Sequence, residues 1–237
     1  MLSIVIPCFN EMGSLLRYEN ELLPELDALN APYEVVLVDD GSADGTAAVM
    51  AELAKKHPQI KTVNHPNNRG LGAALRSGFG AARGEWIATL DADLTFHPRQ
   101  LKELLARQAQ TGADLVSGSP YLTADGMKDV PWIRRLPSLM INALYRGLFD
   151  PGFLSYTPVF RLYSTRVLEG LALQSEGFEI NAEIAVRYWL ARRKLAECPA
   201  VLETRQEGVS KLNRWRELKR HAALIARLLR QTQQKTL

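Results

Sequence analysis

Three short clusters of polar and acidic residues stand directly after apolar runs in the first half of the sequence. They are Phe9-Asn10-Glu11, Asp39-Asp40-Gly41-Ser42 and Asp91-Ala92-Asp93. A single aspartate in such a position usually caps a turn or a helix, but three clusters after three runs are harder to explain by capping. Carboxylates that converge repel each other unless cations or hydrogen-bond donors neutralise them. The pattern therefore indicates a polar site for a cation or a donor-rich ligand.

The third cluster has a spacing that suits a metal ion. Asp91 and Asp93 are one residue apart, so one or both carboxylates can face a single site. Hard divalent cations take oxygen ligands, and Mg²⁺ often binds one or two carboxylates together with substrate phosphates. An Asp-x-Asp pair also occurs by chance, and its position after an apolar run strengthens the interpretation. These residues favour a divalent-metal site beside phosphate.

The elements that must position these clusters alternate along the first half of the chain. Apolar runs predict strands at 3–6, 33–38, 60–64, 86–90 and 115–117, with helices predicted at 14–29, 44–57, 71–82 and 98–111. Strands that are apolar throughout are typical of parallel sheets covered on both faces. We therefore predict an α/β fold with a Rossmann-like, mostly parallel sheet flanked by helices. Ligands of such sheets bind beyond the carboxyl ends of the strands, where the three clusters should meet.

The second half of the chain predicts a different pattern. An amphipathic helix is expected at 132–148, followed by a strand at 160–163, helices at 165–171 and 180–193, and a strand near 198–204. A last amphipathic helix is expected from about 215 to 231. With no internal repeat and no long linker, we expect one domain over residues 1–212 and a basic C-terminal helix over 213–237.

The charge is unevenly distributed. From Glu203 onwards there are nine basic and three acidic residues, so this segment carries +6 of a chain whose net charge is +3. A basic segment suits an anionic partner such as a phosphate, a nucleic acid or a lipid surface, and equally a solvated helix. Nucleic acid is the poorest fit, because Trp215 is the only Phe, Tyr or Trp in the segment.

Composition excludes several classes of protein. A hydrophobic fraction of 46% is too high for a disordered chain. The longest charge-free runs, such as 136–145, are about half of the roughly 20 residues that span a bilayer, so no transmembrane helix is expected. No basic region precedes the first apolar stretch, which Pro7 interrupts, so a signal peptide is not expected. Two cysteines fit a reducing, cytoplasmic location.

Four segments in this order resemble the family 2 glycosyltransferases of the GT-A fold. They are IVIPCFNE at 4–11, VLVDDGSADGT at 36–46, NNRGLG at 67–72 and DAD at 91–93. Within that family the sequence is most similar to dolichyl- or polyprenyl-phosphate sugar synthases. That narrower likeness depends on DLTFHP at 93–98, VSG at 116–118, FRLY at 160–163 and GVSKL at 208–212. The resemblance covers residues from about 3 to 212.

The resemblance implies a site for a nucleotide-diphosphate-sugar donor. Pro7, Phe9 and Glu11 would line the pocket for the nucleobase and ribose. Val38 and Asp40 would hold the base and ribose from the second strand. Glu11 suits the first turn of a helix equally well, where its charge complements the helix dipole.

The resemblance also implies where the donor phosphates bind. Asp91 and Asp93 would hold a Mg²⁺ or Mn²⁺ ion that bridges the two phosphates, with Ala92 between them at the substrate. Arg205 and Lys211 would close over the diphosphate and act in catalysis with Asp93. Without the resemblance, the two basic residues would be read as ordinary surface charges.

The sequence departs from the pattern of the lipid-phosphate synthases at Pro120, where many of them carry an arginine that meets a phosphate. Arg161 is one candidate for the missing positive charge, and Arg134 and Arg135 are the others. Acceptor recognition is thus where the likeness is weakest.

The acceptor decides what chemistry the protein must supply. A lipid phosphate is already ionised and needs no strong base, whereas a sugar hydroxyl must lose a proton to a carboxylate. Glu183 is the best candidate base for a hydroxyl acceptor, and Glu179, one turn earlier, is the second. A single displacement in either case inverts the anomeric centre.

The sequence therefore predicts an inverting, metal-dependent transfer of a sugar from a nucleotide-diphosphate-sugar to a polyprenyl phosphate. The reaction is expected at the cytoplasmic face of the membrane, through peripheral contact or beside a membrane-anchored partner subunit. The alternatives are a soluble family 2 transferase that glycosylates a saccharide hydroxyl and a non-catalytic module that binds nucleotide-sugars.

Overall fold

A computed structural model describes residues 1–128, 130–203 and 214–234 of the chain. The strands in these ranges are β1 (Leu2–Cys8), β2 (Tyr33–Asp39), β3 (Ile60–Asn64), β4 (Trp86–Thr89), β5 (Leu115–Ser119), β6 (Arg161–Ser164) and β7 (Leu195–Pro199). The helices are α1 (Met12–Leu15), α2 (Tyr18–Glu21), α3 (Leu23–Asp27), α4 (Thr46–Lys56), α5 (Leu71–Ala81), α6 (Leu101–Thr111), α7 (Trp132–Leu148), α8 (Thr165–Glu169), α9 (Ile180–Leu190) and α10 (Arg214–Gln234).

The seven strands form one sheet in the order β3-β2-β1-β4-β6-β5-β7. Strands β1 to β4 are parallel to one another, and β7 is parallel to β5. Strand β6 alone runs antiparallel, between β4 and β5. The predicted mostly parallel α/β sheet is confirmed, and the single reversed strand comes from the second half of the chain.

The register of the sheet brings the predicted polar clusters to one edge. Cys8 at the end of β1 pairs with Asp39 at the end of β2, and Val5 pairs with Thr89 at the end of β4. Because parallel strands end at the same edge, the residues that follow each strand lie next to one another there. This edge carries the site described below.

Each face of the sheet is covered by helices that bury one set of alternating strand residues. Ile4, Ile6 and Leu37 lie in a core on one face, and Val5 and Val36 lie in a core on the other. The second core also contains Leu224 and Leu228 of α10, whose side chains are at most 2% exposed. The C-terminal helix therefore packs on the domain along one of its sides. Residues 213–237, predicted to form this helix, correspond to α10 within the described ranges.

Two predicted elements differ in the structure. The helix expected at 14–29 is divided into α1, α2 and α3, and Pro24, which lacks an N–H donor, lies at the start of α3. The last strand is Leu195–Pro199 rather than 198–204. Glu197 interrupts the apolar pattern of this strand, and its carboxylate accepts a hydrogen bond from the backbone amide of Leu154.

Helix α7 has an apolar face that the described part of the chain leaves uncovered. Trp132 and Met140 are 68% and 64% exposed, and Leu136, Leu139 and Leu144 are also exposed. Its opposite side contributes Tyr145 to the second core. Across the described ranges, no helix is both long enough and apolar enough to cross a bilayer.

Candidate active site at the carboxyl edge of the sheet

A cleft of about 300 Å³ opens at the carboxyl ends of β1, β2 and β4. It brings together residues from all three polar clusters found in the sequence. The predicted site residues that line it are Pro7, Phe9, Glu11, Asp40, Asp91, Ala92 and Asp93. The remaining wall comes from Cys8, from the loop before α5 and the first turn of that helix, from the residues before α9 and from the beginning of α10.

The loop after β1 is held by hydrogen bonds to the loop after β2. Asn10 adopts a positive φ of 54°, a conformation that asparagine tolerates better than most residues. Its backbone amide donates to Ser42 Oγ at 2.8 Å, and its side-chain Oδ1 accepts from the Ala43 amide at 2.8 Å. The Glu11 amide donates to Thr46 Oγ1 at 2.8 Å. These contacts fix the first two clusters relative to each other.

Asp40 has a dense set of hydrogen bonds and is 3% exposed. Its Oδ1 lies 2.7 Å from His65 Nδ1 and accepts from the Arg69 amide at 3.0 Å, and its Oδ2 accepts from the Gly70 amide at 2.7 Å. Gly70 has a φ of 96°, and an added Cβ would overlap the backbone carbonyl of Glu176. Glycine is therefore required where the chain turns to give Asp40 these donors.

The turn that carries Asp91 and Asp93 is supported from the N-terminal segment. The hydroxyl of Tyr18 donates to the Ala92 carbonyl at 2.9 Å, and Arg17 Nη2 donates to the Asp93 carbonyl at 3.1 Å. Burial raises the pKa of Tyr18, so this hydroxyl remains a donor. Asp93 Oδ1 accepts from the Thr95 amide at 3.1 Å. The described contacts of Thr95 thus shape the turn through its backbone.

The donor set suits a divalent ion that shares its ligands with a substrate. Asp91 and Asp93 both line the cleft, but no group of three or more His, Cys, Asp or Glu side chains across the described ranges is arranged to hold a metal alone. An ion bound by two carboxylates takes its other ligands from water and phosphate, which is the usual habit of Mg²⁺. The residues present therefore fit the ion that the sequence predicts.

Cys8 lines the cleft beside these carboxylates. Burial raises the pKa of its thiol, and the nearby Glu11 and Asp39 raise it further. A thiol in this environment stays protonated and is a poor nucleophile. Cys8 therefore contributes packing rather than covalent chemistry.

Comparison with known proteins decides the family. Residues 3–171 match the family described as Glycosyl transferase family 2.

The chain belongs to this family.

Three relatives support the assignment to this family. It is 31% identical to a dolichol-phosphate mannosyltransferase of Pyrococcus furiosus, over 89% of this chain and 58% of that protein. It is 32% identical to a polyprenol monophosphomannose synthase of Mycolicibacterium smegmatis, over 89% and 80% of the two chains. An undecaprenyl-phosphate 4-deoxy-4-formamido-L-arabinose transferase of Edwardsiella ictaluri is 31% identical, over 88% and 62%. The chain thus spans less than two thirds of the first and third relatives.

Solved structures confirm the GT-A fold. The glucosyl-3-phosphoglycerate synthase of Mycobacterium tuberculosis, in complex with Mn²⁺, UDP and phosphoglyceric acid, superimposes with a TM-score of 0.69 at 20% identity, over 97% of this chain and 77% of that one. The S. aureus protein TarS, in complex with UDP-GlcNAc, gives 0.58 at 18% identity, over 88% and 59%. At these identities the likeness concerns the fold alone.

Two residues assigned to substrate lie elsewhere in this glycosyltransferase. Val38 is fully buried in the second core, the one that contains Val5 and Val36, and its side chain packs against Gly78 of α5. Arg161 is also fully buried, and it donates to the carbonyls of Ser155 at 2.6 Å and Asn181 at 2.5 Å. Neither residue lines the cleft, because each is held by the core. The prediction that Arg161 replaces the missing phosphate-binding arginine is not supported by this placement.

Glu183, the candidate base of the glycosyltransferase, is fully buried and does not line the cleft. Its Oε2 accepts from the amides of Gln174 at 3.1 Å and Ser175 at 2.7 Å. Its Oε1 lies 2.9 Å from Arg187 and 3.1 Å from Arg227. Burial alone would raise the pKa of Glu183, but these hydrogen bonds together lower it below its ordinary value. A carboxylate so placed joins α9 to α10 and is not positioned to accept a proton from substrate.

The cleft and the residues that support it also include side chains that the sequence did not reveal. His65 supports Asp40 through a hydrogen bond. It directly follows β3, so a search of the residues after each predicted strand would have identified it. Arg216, Glu217 and Arg220 of α10 line the cleft, and no local pattern connects them to it. Arg205 and Lys211, predicted to close over the diphosphate, lie outside the described residues.

Proposed function

We propose that this glycosyltransferase transfers a sugar from a nucleotide-diphosphate-sugar to a polyprenyl-type lipid phosphate, with inversion and with a divalent metal ion. The observation that carries the proposal is the cleft itself, in which Asp40 and the carboxylates of Asp91 and Asp93 line one cavity at the edge of the sheet. The names of the Pyrococcus and Mycolicibacterium relatives support a lipid-phosphate acceptor.

The nucleoside of the donor would bind between the loops after β1 and β2. Phe9 and Pro7 line the cleft there, with an aromatic and a rigid apolar side chain. Asp40 offers a carboxylate that its neighbours already hold in one orientation. A preordered acceptor group binds a ribose hydroxyl or a base N–H without first losing conformational freedom.

The donor phosphates would lie over Asp91 and Asp93. A divalent ion bound there would neutralise charge on the departing nucleoside diphosphate. Tyr18 and Arg17 hold the backbone of this turn through the carbonyls of Ala92 and Asp93, so the segment that carries the two carboxylates is fixed. A rigid arrangement of this kind favours the transition state, because it requires no reorganisation as charge develops.

The acceptor proposal is consistent with the position of Glu183. A phosphate monoester is ionised near neutral pH and attacks without transferring a proton to the protein. A hydroxyl acceptor needs a base in the cleft, and Glu183 lies in the core instead. Glu217 lines the cleft, but its carboxylate accepts from the Phe178 amide and pairs with Arg220. A lipid phosphate needs no such base, so this acceptor agrees with the burial of Glu183.

The uncovered apolar face of α7 supports a reaction at a membrane surface. Large exposed apolar patches mark interaction sites, and helices with one apolar face lie in lipid interfaces. Trp215 and Leu218 at the start of α10 are also exposed, at 77% and 51%. Because α10 lines the cleft, a membrane contact there would bring a lipid-borne phosphate close to the donor.

Product analysis tests the proposal. The protein is incubated with polyprenyl phosphate, Mg²⁺ or Mn²⁺ and each of a panel of nucleotide-sugars, and the lipids are examined by mass spectrometry. We expect a glycosyl-phosphoprenol with one nucleotide-sugar and none in excess EDTA. Transfer to a saccharide hydroxyl but not to the lipid would reject the lipid acceptor, and nucleotide-sugar binding with no transfer to either would favour a binding module.

A further inference from the structure

The beginning of α10 forms part of the wall of the cleft that also contains the carboxylates that would hold the metal ion. Arg216 and Arg220 are four residues apart and therefore lie on the same side of the helix. Both line the cavity that also contains Asp91 and Asp93. The C-terminal helix thus contributes positively charged side chains to the candidate active site.

Arg220 is held in place by its neighbours. Its Nη1 lies 3.3 Å from Glu217 Oε1, and Glu217 is itself 6% exposed, with Oε2 accepting from the Phe178 amide at 3.2 Å. A Cβ added to Gly177 would overlap the guanidinium of Arg220, so the glycine leaves the space that this group occupies. The side chain of Arg220 remains 29% exposed, which keeps it accessible from the cleft.

The helix that carries Arg220 is firmly attached to the domain. Leu224 and Leu228 are buried in the core, and His221 Nδ1 lies 3.0 Å from the hydroxyl of Tyr145 in α7. Further along, Arg227 pairs with Glu183 at 3.1 Å. These contacts place the guanidinium of Arg220 in a defined position relative to the sheet.

A guanidinium in the same cavity as two carboxylates that would hold a metal ion suits a phosphate-bearing ligand. Arginine binds phosphate through two parallel hydrogen bonds, and it is used where planar recognition of phosphate is needed. We propose that Arg220, with Arg216 beside it, binds a phosphate group of a substrate in this cleft. The C-terminal helix is then part of the active site rather than an appendage to it. The inference rests on the proposed function, because it requires a substrate that carries phosphate.

The phosphate has two sources, the diphosphate of the donor and the phosphate of the acceptor, and two measurements distinguish them. The first is calorimetric titration of Arg220→Gln with UDP and with GDP in the presence of Mg²⁺. The second is the KM for detergent-solubilised polyprenyl phosphate at saturating donor. Arg230→Gln removes the same charge from an exposed position almost three turns further along α10 and serves as the control.

We expect one of the two constants to rise about 10- to 100-fold in Arg220→Gln, as for the loss of a hydrogen bond to a charged group. Arg230→Gln should leave both near the wild-type value. Arg220→Lys should recover only part of the loss, since lysine cannot form the paired hydrogen bonds. The double variant Glu217→Gln/Arg220→Gln removes both charges of the 3.3 Å pair together with the longer contact of Glu217 to Arg216 at 3.8 Å, and should show the same rise. Because glutamine keeps an oxygen for the Phe178 amide, the melting temperature should change little.

The inference and the proposed function fail in different ways. If the wild type binds UDP or GDP but does not use the lipid, the lipid acceptor is rejected, and the calorimetric measurement alone decides the role of Arg220. If both constants in the folded Arg220→Gln and double variants match those of Arg230→Gln, Arg220 binds no phosphate and the inference is overturned.

Discussion

His65 Nδ1 lies 2.7 Å from Asp40 Oδ1, while Nε2 of the same ring lies 2.8 Å from Ser77 Oγ. The ring thus joins a residue of the cleft to helix α5, and it is 8% exposed. The carboxylate of Asp40 accepts, so Nδ1 is the donor in this pair, and Nε2 faces the serine hydroxyl. His65 therefore orients the carboxylate that we propose to contact the nucleoside.

The first prediction concerns this pair. Asp40→Ala should weaken binding of the nucleoside diphosphate by about 1.5–3 kcal/mol, the usual effect of a hydrogen bond to a charged group. His65→Ala should weaken it less, because Asp40 keeps the amides of Arg69 and Gly70. His65→Asn, whose Nδ2 replaces the donor, should recover part of the loss. Calorimetry that finds Asp40→Ala equal to wild type would move the nucleoside elsewhere.

The second prediction concerns the metal. Asp93→Ala should abolish sugar transfer and the effect of Mg²⁺ on donor binding. The melting temperature should change little, because a partly exposed carboxylate at the edge of the sheet contributes little packing. Asp125→Ala, which removes an exposed carboxylate from a loop, is the matched control. Turnover by Asp93→Ala at close to the wild-type rate, or wild-type activity in excess EDTA, would reject a metal at this position.

The third prediction concerns Glu183. Glu183→Gln breaks buried contacts with Arg187 and Arg227, so the free energy of unfolding should fall by about 3–5 kcal/mol. Glu169→Gln, at an exposed position in α8, should change it little. Transfer by the folded fraction of Glu183→Gln should persist, because the residue does not line the cleft. Complete loss of transfer in a variant of wild-type stability would restore Glu183 as a base.

The fourth prediction concerns pH. Burial lowers the pKa of His221, an effect that Glu179 only partly opposes. The unfolded chain therefore binds this proton first, and stability should fall as pH drops below about 6.5, the value in an unfolded chain. His221→Gln removes the titrating group, so its free energy of unfolding should depend less steeply on pH between about 7.5 and 5.5. Chemical denaturation that gives the same slope for both proteins would contradict this assignment.

The fifth prediction concerns α7. If its exposed face meets lipid, the double variant Leu136→Gln/Met140→Gln should lower co-sedimentation with anionic liposomes while calorimetric binding of UDP or GDP is unchanged. Leu122 is exposed in a loop to a similar degree as Leu136, at 42% against 48%, so Leu122→Gln is the control. Binding that Leu122→Gln lowers as much as the double variant does would exclude a specific role for α7.

Much of the site was predictable because it depends on local order. The apolar runs at the start of β1, β2 and β4 mark strands, and the edge where parallel strands end is fixed by their direction. Asp40, Asp91 and Asp93 could therefore be placed together before any contact was known. His65 follows the same rule after β3.

The remaining assignments depend on partners that are distant in sequence. Arg161 and Glu183 look like functional charges, but the structure surrounds each with buried donors or acceptors and keeps both out of the cleft. Arg220 looks like a surface charge on an amphipathic helix, and only the docking of α10 brings it to the cleft. A local sequence pattern does not show which charged side chains will be paired by residues that are far away in the sequence.

The reversed strand β6 has a consequence for synthesis of the chain. Among the described residues, it alone joins β5 and β7 to the rest of the sheet, because the order is β4-β6-β5-β7. The four parallel strands can pair once residue 89 has emerged from the ribosome, whereas β5 cannot join the sheet until residues 161–164 of β6 have emerged. A nascent chain should therefore hold half a sheet with an unpaired β4 edge for some seventy residues of translation, at about 5–20 residues per second. That interval is when a chaperone or a neighbouring nascent chain has access to the open edge.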